Sequence, residues 1–157
     1  MSALTLKRLN KELSQAMNNK IPGITIENPT DIMVWYATIN GPKDTPYEDG
    51  IFKIRFRFND EYPVKAPSVD FIVPMYHPNI YRDGKICVDI LQSEWSPTQN
   101  VRTILLSIMS LLADPNPASP ANREAALLYN SNIEEYNIKV REFIKEHQQS
   151  NNLELIV

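Results

Sequence analysis

Apolar residues recur at helical spacing at both ends of this chain and alternate strictly in between. Near the N-terminus Leu6, Leu9, Leu13 and Met17 fall three or four residues apart. That spacing predicts an amphipathic helix over residues 2–18, with Ser2 or Thr5 as its cap. Pro22-Gly23 ends it. Four strand-like runs follow: ITIE at 24–27, IMVWYATI at 32–39, IFKIRFRF at 51–58 and VDFIV at 69–73. The third is the clearest. Phe52, Ile54, Phe56 and Phe58 point one way while Ile51, Lys53, Arg55 and Arg57 point the other, as in a strand with one buried and one wet face. Short connections, including the turn-rich GPKDTPYEDG at 41–50, predict an antiparallel meander. Helical spacing returns in VRTILLSIMSLLA at 101–113, behind Thr98 or Asn100 as cap. Its wide face of Ile104, Leu105, Ile108, Leu111 and Leu112 predicts burial. DPNPASP breaks it. A short helix near 121–130 and a longer one over 131–149, with Ile133, Tyr136, Val140 and Phe143 inward, complete the pattern. The expected class is α+β: a four-stranded antiparallel meander flanked by an N-terminal helix, a buried central helix and two C-terminal helices.

Composition narrows the function. A chain of 157 residues suits one domain, expected over 1–149, with a short floppy C-terminal tail at 150–157. Net charge is −3, the wrong sign for a nucleic-acid binder, whose footprint is a basic face. No apolar run approaches a membrane span, and the N-terminus lacks the apolar core of a signal peptide. A single cysteine excludes an internal disulfide. A soluble cytoplasmic or nuclear monomer is therefore expected. Twelve prolines against four glycines, most of the prolines between residues 42 and 120, point to rigid irregular loops in that region. The stretch 74–98 has no convincing regular element, and long loops inside compact domains are commonly functional.

That stretch holds the one cysteine, Cys87, ten residues after His77 in His77-Pro78-Asn79. A lone cysteine ordinarily acts as a small buried hydrophobe, but this one is framed by Asp83, Gly84, Lys85 and Asp89. A hydrolase would need a histidine base and a group to orient it. His77 is close in sequence, yet nothing marks a partner for its ring, and His147 lies in the last helix. Acyl transfer between two thiols needs no strong base, because the leaving group is itself a thiolate. A carboxylate such as Asp89 does not acidify a neighbouring thiol, but it can orient an attacking amine and favour its deprotonation. The remaining requirement is an oxyanion donor. Asn79, on a rigid Pro78-Asn79 turn, offers an amide that such chemistry can use; it can also bond its own loop.

These residues carry a family resemblance over nearly the whole chain. LKRLNKEL at 6–13, GPKDTPYEDGIFKIRFRF with YPVKAP at 62–67, HPNIYRDGKICVDIL at 77–91, WSP at 95–97 and DPNPASPAN at 114–122 resemble the ubiquitin-conjugating enzymes. The resemblance implies a thioester between Cys87 and the C-terminal glycine of ubiquitin, received from the activating enzyme. The acyl group then passes to a lysine-bearing protein substrate with the help of a ubiquitin ligase. It implies that Asn79 is the oxyanion donor, His77 its structural support, and Asp89 a neighbour of the incoming lysine. Ser119 stands where many members have an acidic gating residue, with Asn116 in the same loop; a serine there is open to phosphorylation. Lys7, Arg8, Lys11, Val64, Pro97 and Thr98 match the surface that meets ligases and the activating enzyme, although Val64 replaces the phenylalanine of broadly partnered members. Thr25 matches a position that in some members holds a second ubiquitin non-covalently. Tyr62-Pro63 matches a bond that is often cis. No cofactor or metal is implied, since ATP is used by the activating enzyme. The absence of an insertion between Cys87 and Trp95, and Asp89 in place of a serine, favour ubiquitin over the related modifier SUMO. The alternatives are a conjugating enzyme for another modifier and a non-catalytic ubiquitin-binding adaptor of the same fold.

Overall fold

The structure, a computed structural model, describes residues 2–156, and side chains up to residue 148. Helix α1 (Ala3–Asn18) leads into strands β1 (Ile24–Ile26), β2 (Val34–Asn40), β3 (Ile51–Arg57) and β4 (Ser68–Phe71). The strands pair antiparallel in the order β1-β2-β3-β4. Helices α2 (Val101–Ala113), α3 (Arg123–Ser131) and α4 (Ile133–Ile156) follow. This is the expected meander and helix order.

The alternation in β3 is what builds the sheet. Phe52, Ile54 and Phe56 are buried and sit opposite Ile39, Ala37 and Trp35 of β2. Val69 and Phe71 of β4 extend the same face. Each such side chain contributes roughly 1.5–3 kcal/mol on leaving water. Charge marks the other face. Arg55 donates to Asp70 from Nη2 at 2.8 Å, and Lys53 lies 3.5 Å from Glu27. Helix α2 closes the core with Val101, Ile104, Leu105, Ile108 and Leu112. Asn100 caps it reciprocally with Thr103: each side chain accepts the other's backbone N–H. Ser2 caps α1 by accepting from the Thr5 N–H. The Tyr62-Pro63 bond is cis, as the resemblance implied.

Two details of the helices differ from the reading of the sequence. In α1 the inward face is Thr5, Leu9 and Glu12, while Leu6 and Met17 stay exposed. Polar residues win that face because the loops beneath it supply partners. Thr5 Oγ1 bonds to the carbonyls of Asp60 and Tyr62. Glu12 accepts from the Tyr62 hydroxyl and, at 2.8 Å each, from Arg8 Nε and the Val101 N–H. Helix α4 buries Tyr136, Val140 and Ile144 rather than Ile133, and its backbone runs on to Ile156. It thus crosses into the segment set apart as a tail, whose side chains and last residue lie outside the described residues.

Candidate active site

The stretch 74–98 contains one 3₁₀ turn, Asp89–Leu91, and short bridges that dock it on the sheet edge. Asp70 pairs with Lys85, and Ile80 with Ile86. The turn between them depends on Gly84. Its φ is +93°, and a Cβ there would stand 2.0 Å from the Phe71 carbonyl oxygen. The bridges fold the strip 77–87 on itself and against β4, and Cys87 emerges at its end.

Four hydrogen bonds hold Cys87 and its surroundings without touching its sulfur. The Cys87 N–H donates to the Asn79 carbonyl at 2.8 Å. Asn79 is wholly buried. Its Nδ2 donates to the carbonyls of Asn116 (2.7 Å) and Ser119 (3.0 Å), and its Oδ1 accepts the Asn116 N–H at 2.8 Å. In this arrangement the amide that the sequence offers as an oxyanion donor stitches the 114–122 loop to the cysteine strip. The Pro78 carbonyl strengthens the seam by accepting from the N–H groups of Ala121 and Asn122.

His77 is fully buried as well. Its Nδ1 accepts the Asn79 N–H at 2.9 Å, so Nε2 carries the proton and donates to the Leu111 carbonyl at 2.8 Å. Burial pushes its pKa down to about 4. The ring is neutral near pH 7, has both nitrogens engaged, and makes no hydrogen bond to Cys87. It supports the Asn79 turn, tying it to the end of α2, and it is not a base.

Cys87 is partly exposed. It opens on a cleft of about 360 Å³ walled by Asp89, Glu94, Gln99, Thr103, Ser107, Asn116 and Ser119. Asp89 and Ser119 are exposed on its rim, so the structure brings together every residue assigned to the chemistry. Glu94, Thr103 and Ser107 were not singled out from sequence. Thr103 and Ser107 carry no motif and reach the cleft because α2 runs beneath it, while Glu94 reaches it from the loop that follows the 3₁₀ turn.

The expected partner surface also converges. Arg8 Nη2 donates to the carbonyls of Pro97 (3.0 Å) and Gln99 (2.8 Å), and Trp95 Nε1 donates to the Pro63 carbonyl at 3.1 Å. Helix α1 and both loops thereby form one face, on which Val64 is 72% exposed. Lys7, Lys11, Pro97 and Thr98 are exposed there. Arg8 is not the freely solvated residue its neighbours are: its side chain is only 26% exposed. Thr25 is exposed on β1, away from Cys87, opposite Thr38.

An accessible thiol on a proline-framed strip, an asparagine-stitched loop and a four-stranded meander define a particular class of protein. The chain belongs to the ubiquitin-conjugating enzyme family, whose model matches residues 8–144. It is 47% identical over 146 residues to the protein named Ubiquitin-conjugating enzyme E2 2 of Saccharomyces cerevisiae, covering 92% of this chain and 85% of that one. The protein of the same name from Neurospora crassa is 46% identical, with 92% and 97% covered. That from Candida glabrata is 45% identical over 152 residues, with 96% and 91% covered.

Proposed function

We propose that Cys87 carries ubiquitin as a thioester between the activating enzyme and substrate lysines, with a ubiquitin ligase assisting the second transfer. The observation that carries this is the open thiol on the cleft with no imidazole bonded to it. The Cys87 thiolate adds to the acyl carbon of the activating enzyme's thioester, and that enzyme's thiolate leaves. A lysine amine then adds to the new acyl carbon. The C–S bond breaks, the amine nitrogen loses its proton, and the Cys87 thiolate is restored. Neither step needs an imidazole base, which accords with a buried, neutral His77.

Asp89, on the exposed rim two residues from Cys87, orients the amine in this reading. For Asn79 we propose two roles. It builds the loop in the state described above. In the transition state it donates to the oxyanion, and this requires one amide hydrogen to leave a loop carbonyl, the longer bond to Ser119 being the easier to release. Ser119 and Asn116 gate the approach. Lys7, Lys11, Val64, Pro97 and Thr98, with Arg8 as their anchor, form the surface for the ligase and the activating enzyme, and Thr25 is a contact for a second ubiquitin. The protein acts as a cytoplasmic or nuclear monomer, binds no nucleic acid and needs no cofactor of its own. No helix among the described residues is long and apolar enough to cross a membrane.

The test is a non-reducing gel of the protein with ubiquitin, activating enzyme and ATP. A thiol-sensitive adduct, absent in Cys87→Ala and replaced by a thiol-resistant ester in Cys87→Ser, is the expected result. The absence of any adduct would instead favour the adaptor reading.

A further inference from the structure

On the other side of the 77–87 strip from the Cys87 cleft lies a second, larger groove of about 940 Å³. Apolar side chains line part of it, among them exposed Ile72 and half-buried Met75. Its rims carry three arginines: Arg55 from β3, Arg82 from the turn beside Gly84, and Arg123 from the start of α3. These cations are unequal. Arg55 shares Asp70 with Arg57, whereas Arg82 and Arg123 are exposed and have no ion-pair partner among the described residues. The carboxylates nearby are already engaged. Glu124 pairs with Lys139, and Asp83 accepts the Lys85 N–H and lies 3.9 Å from its Nζ. On a chain of net charge −3, the groove is therefore a local cationic site with two uncommitted guanidinium forks. Tyr76, whose hydroxyl is the only buried side-chain polar atom among the described residues without a hydrogen bond, also lines it.

The groove and the site already described share the 114–122 loop. Ala121 and Asn122 line it, and their N–H groups are tied to Pro78; Asn116 and Ser119 of the same loop wall the Cys87 cleft. A chain crossing that loop to present a lysine to Cys87 would lay its neighbouring residues between Arg82 and Arg123. We infer that this groove reads acidic residues flanking the target lysine, taking an Asp- or Glu-bearing peptide segment of the substrate. Carboxylates fit the arginine forks bidentately, and Ile72 and Met75 offer apolar contact to the aliphatic part of such a segment.

This rests on the thioester function proposed above, and the test separates the two. The ubiquitin-loaded enzyme is discharged in single turnover onto three acceptors: free lysine, a lysine peptide flanked by glutamates, and the same peptide flanked by alanines. The glutamate peptide should be used about fivefold more efficiently than the alanine peptide through a lower KM, in proportion to two exposed charge pairs, and the advantage should fade at high salt. Arg82→Glu/Arg123→Glu should abolish the preference and leave discharge to free lysine unchanged. Equal use of the two peptides, or a preference that survives the double variant, overturns the inference while leaving the carrier function intact. If no thioester forms, the groove is read by NMR titration of the unloaded protein with the glutamate peptide. Shifts confined to residues around Arg82, Gly84 and Arg123 support it, and their absence overturns it.

Discussion

The sheet and the loops around Cys87 are stabilised in opposite ways. Strands β2 and β3 pair along seven residues, so each cross-strand bond is one of many alike, and the sheet's buried face consists of interchangeable apolar side chains. The loops have almost no repeating bonds. They are held by single side chains that reach far along the chain, Asn79 to Asn116 and Ser119, and His77 to Leu111. A repeated ladder averages over its members, whereas a seam that rests on one amide, one imidazole and the two N–H groups bonded to the Pro78 carbonyl is weakened sharply when any of them is lost.

Four substitutions or conditions test this contrast. The largest effect is at the sulfur: Cys87→Ala removes ubiquitin transfer entirely while leaving the unfolding midpoint close to that of the parent, seen by gel and by thermal melt. Next, Asn79→Ala deletes three buried bonds at once. It should cost about 3 kcal/mol in denaturant unfolding and slow discharge to lysine about 100-fold while sparing thioester formation. Equal losses in the two steps would count against the oxyanion role and leave the loop-building role alone. Third, His77 makes stability depend on pH. Its folded pKa of about 4 lies below the ordinary value of 6.5, so the unfolded chain takes up the proton first. The His77 contribution is therefore complete above pH 6.5 and declines as pH falls, disappearing below pH 4, about 3 kcal/mol in all. Urea titrations from pH 7 to 4 should show a shallower slope in His77→Gln, and identical slopes would refute the assignment. Smallest is the sheet: Ile54→Val should cost about 1 kcal/mol and leave discharge unchanged. A larger loss, or slowed discharge, would mean that the sheet is as brittle as the loops.

The same contrast explains what the sequence made legible. Periodicity is a property of repeating structure, so the alternation of β3 and most of the apolar face of α2 were readable, the exceptions in α2 being Leu111, which is half-buried at the Cys87 cleft, and Val101, which is buried though not expected there. The ends of α1 and α4 were less so. Leucines at 6 and 13 suggested a face that the fold turns partly outward, because Thr5 and Glu12 find hydrogen-bond acceptors and donors in loops 50 or more residues away. Cys87, Asn79 and His77 stood out through an unusual motif, not through any local rule. Thr103 and Ser107 could not stand out at all, because only tertiary packing brings α2 beneath the cleft, and Glu94 lay in the functional loop with no local rule to mark it. That His77 would be neutral with both nitrogens engaged was equally invisible, since its partner at Leu111 is 34 residues away.

Arg8 has a consequence for how such a protein can change its associations. On the partner surface proposed above, Lys7, Lys11 and Val64 project outward with nothing inside depending on them, so substitution there leaves the fold intact. Arg8 cannot drift with them, because its guanidinium fastens the first helix to the Pro97 and Gln99 carbonyls. New specificities should thus be written around a fixed arginine, on the residues beside it.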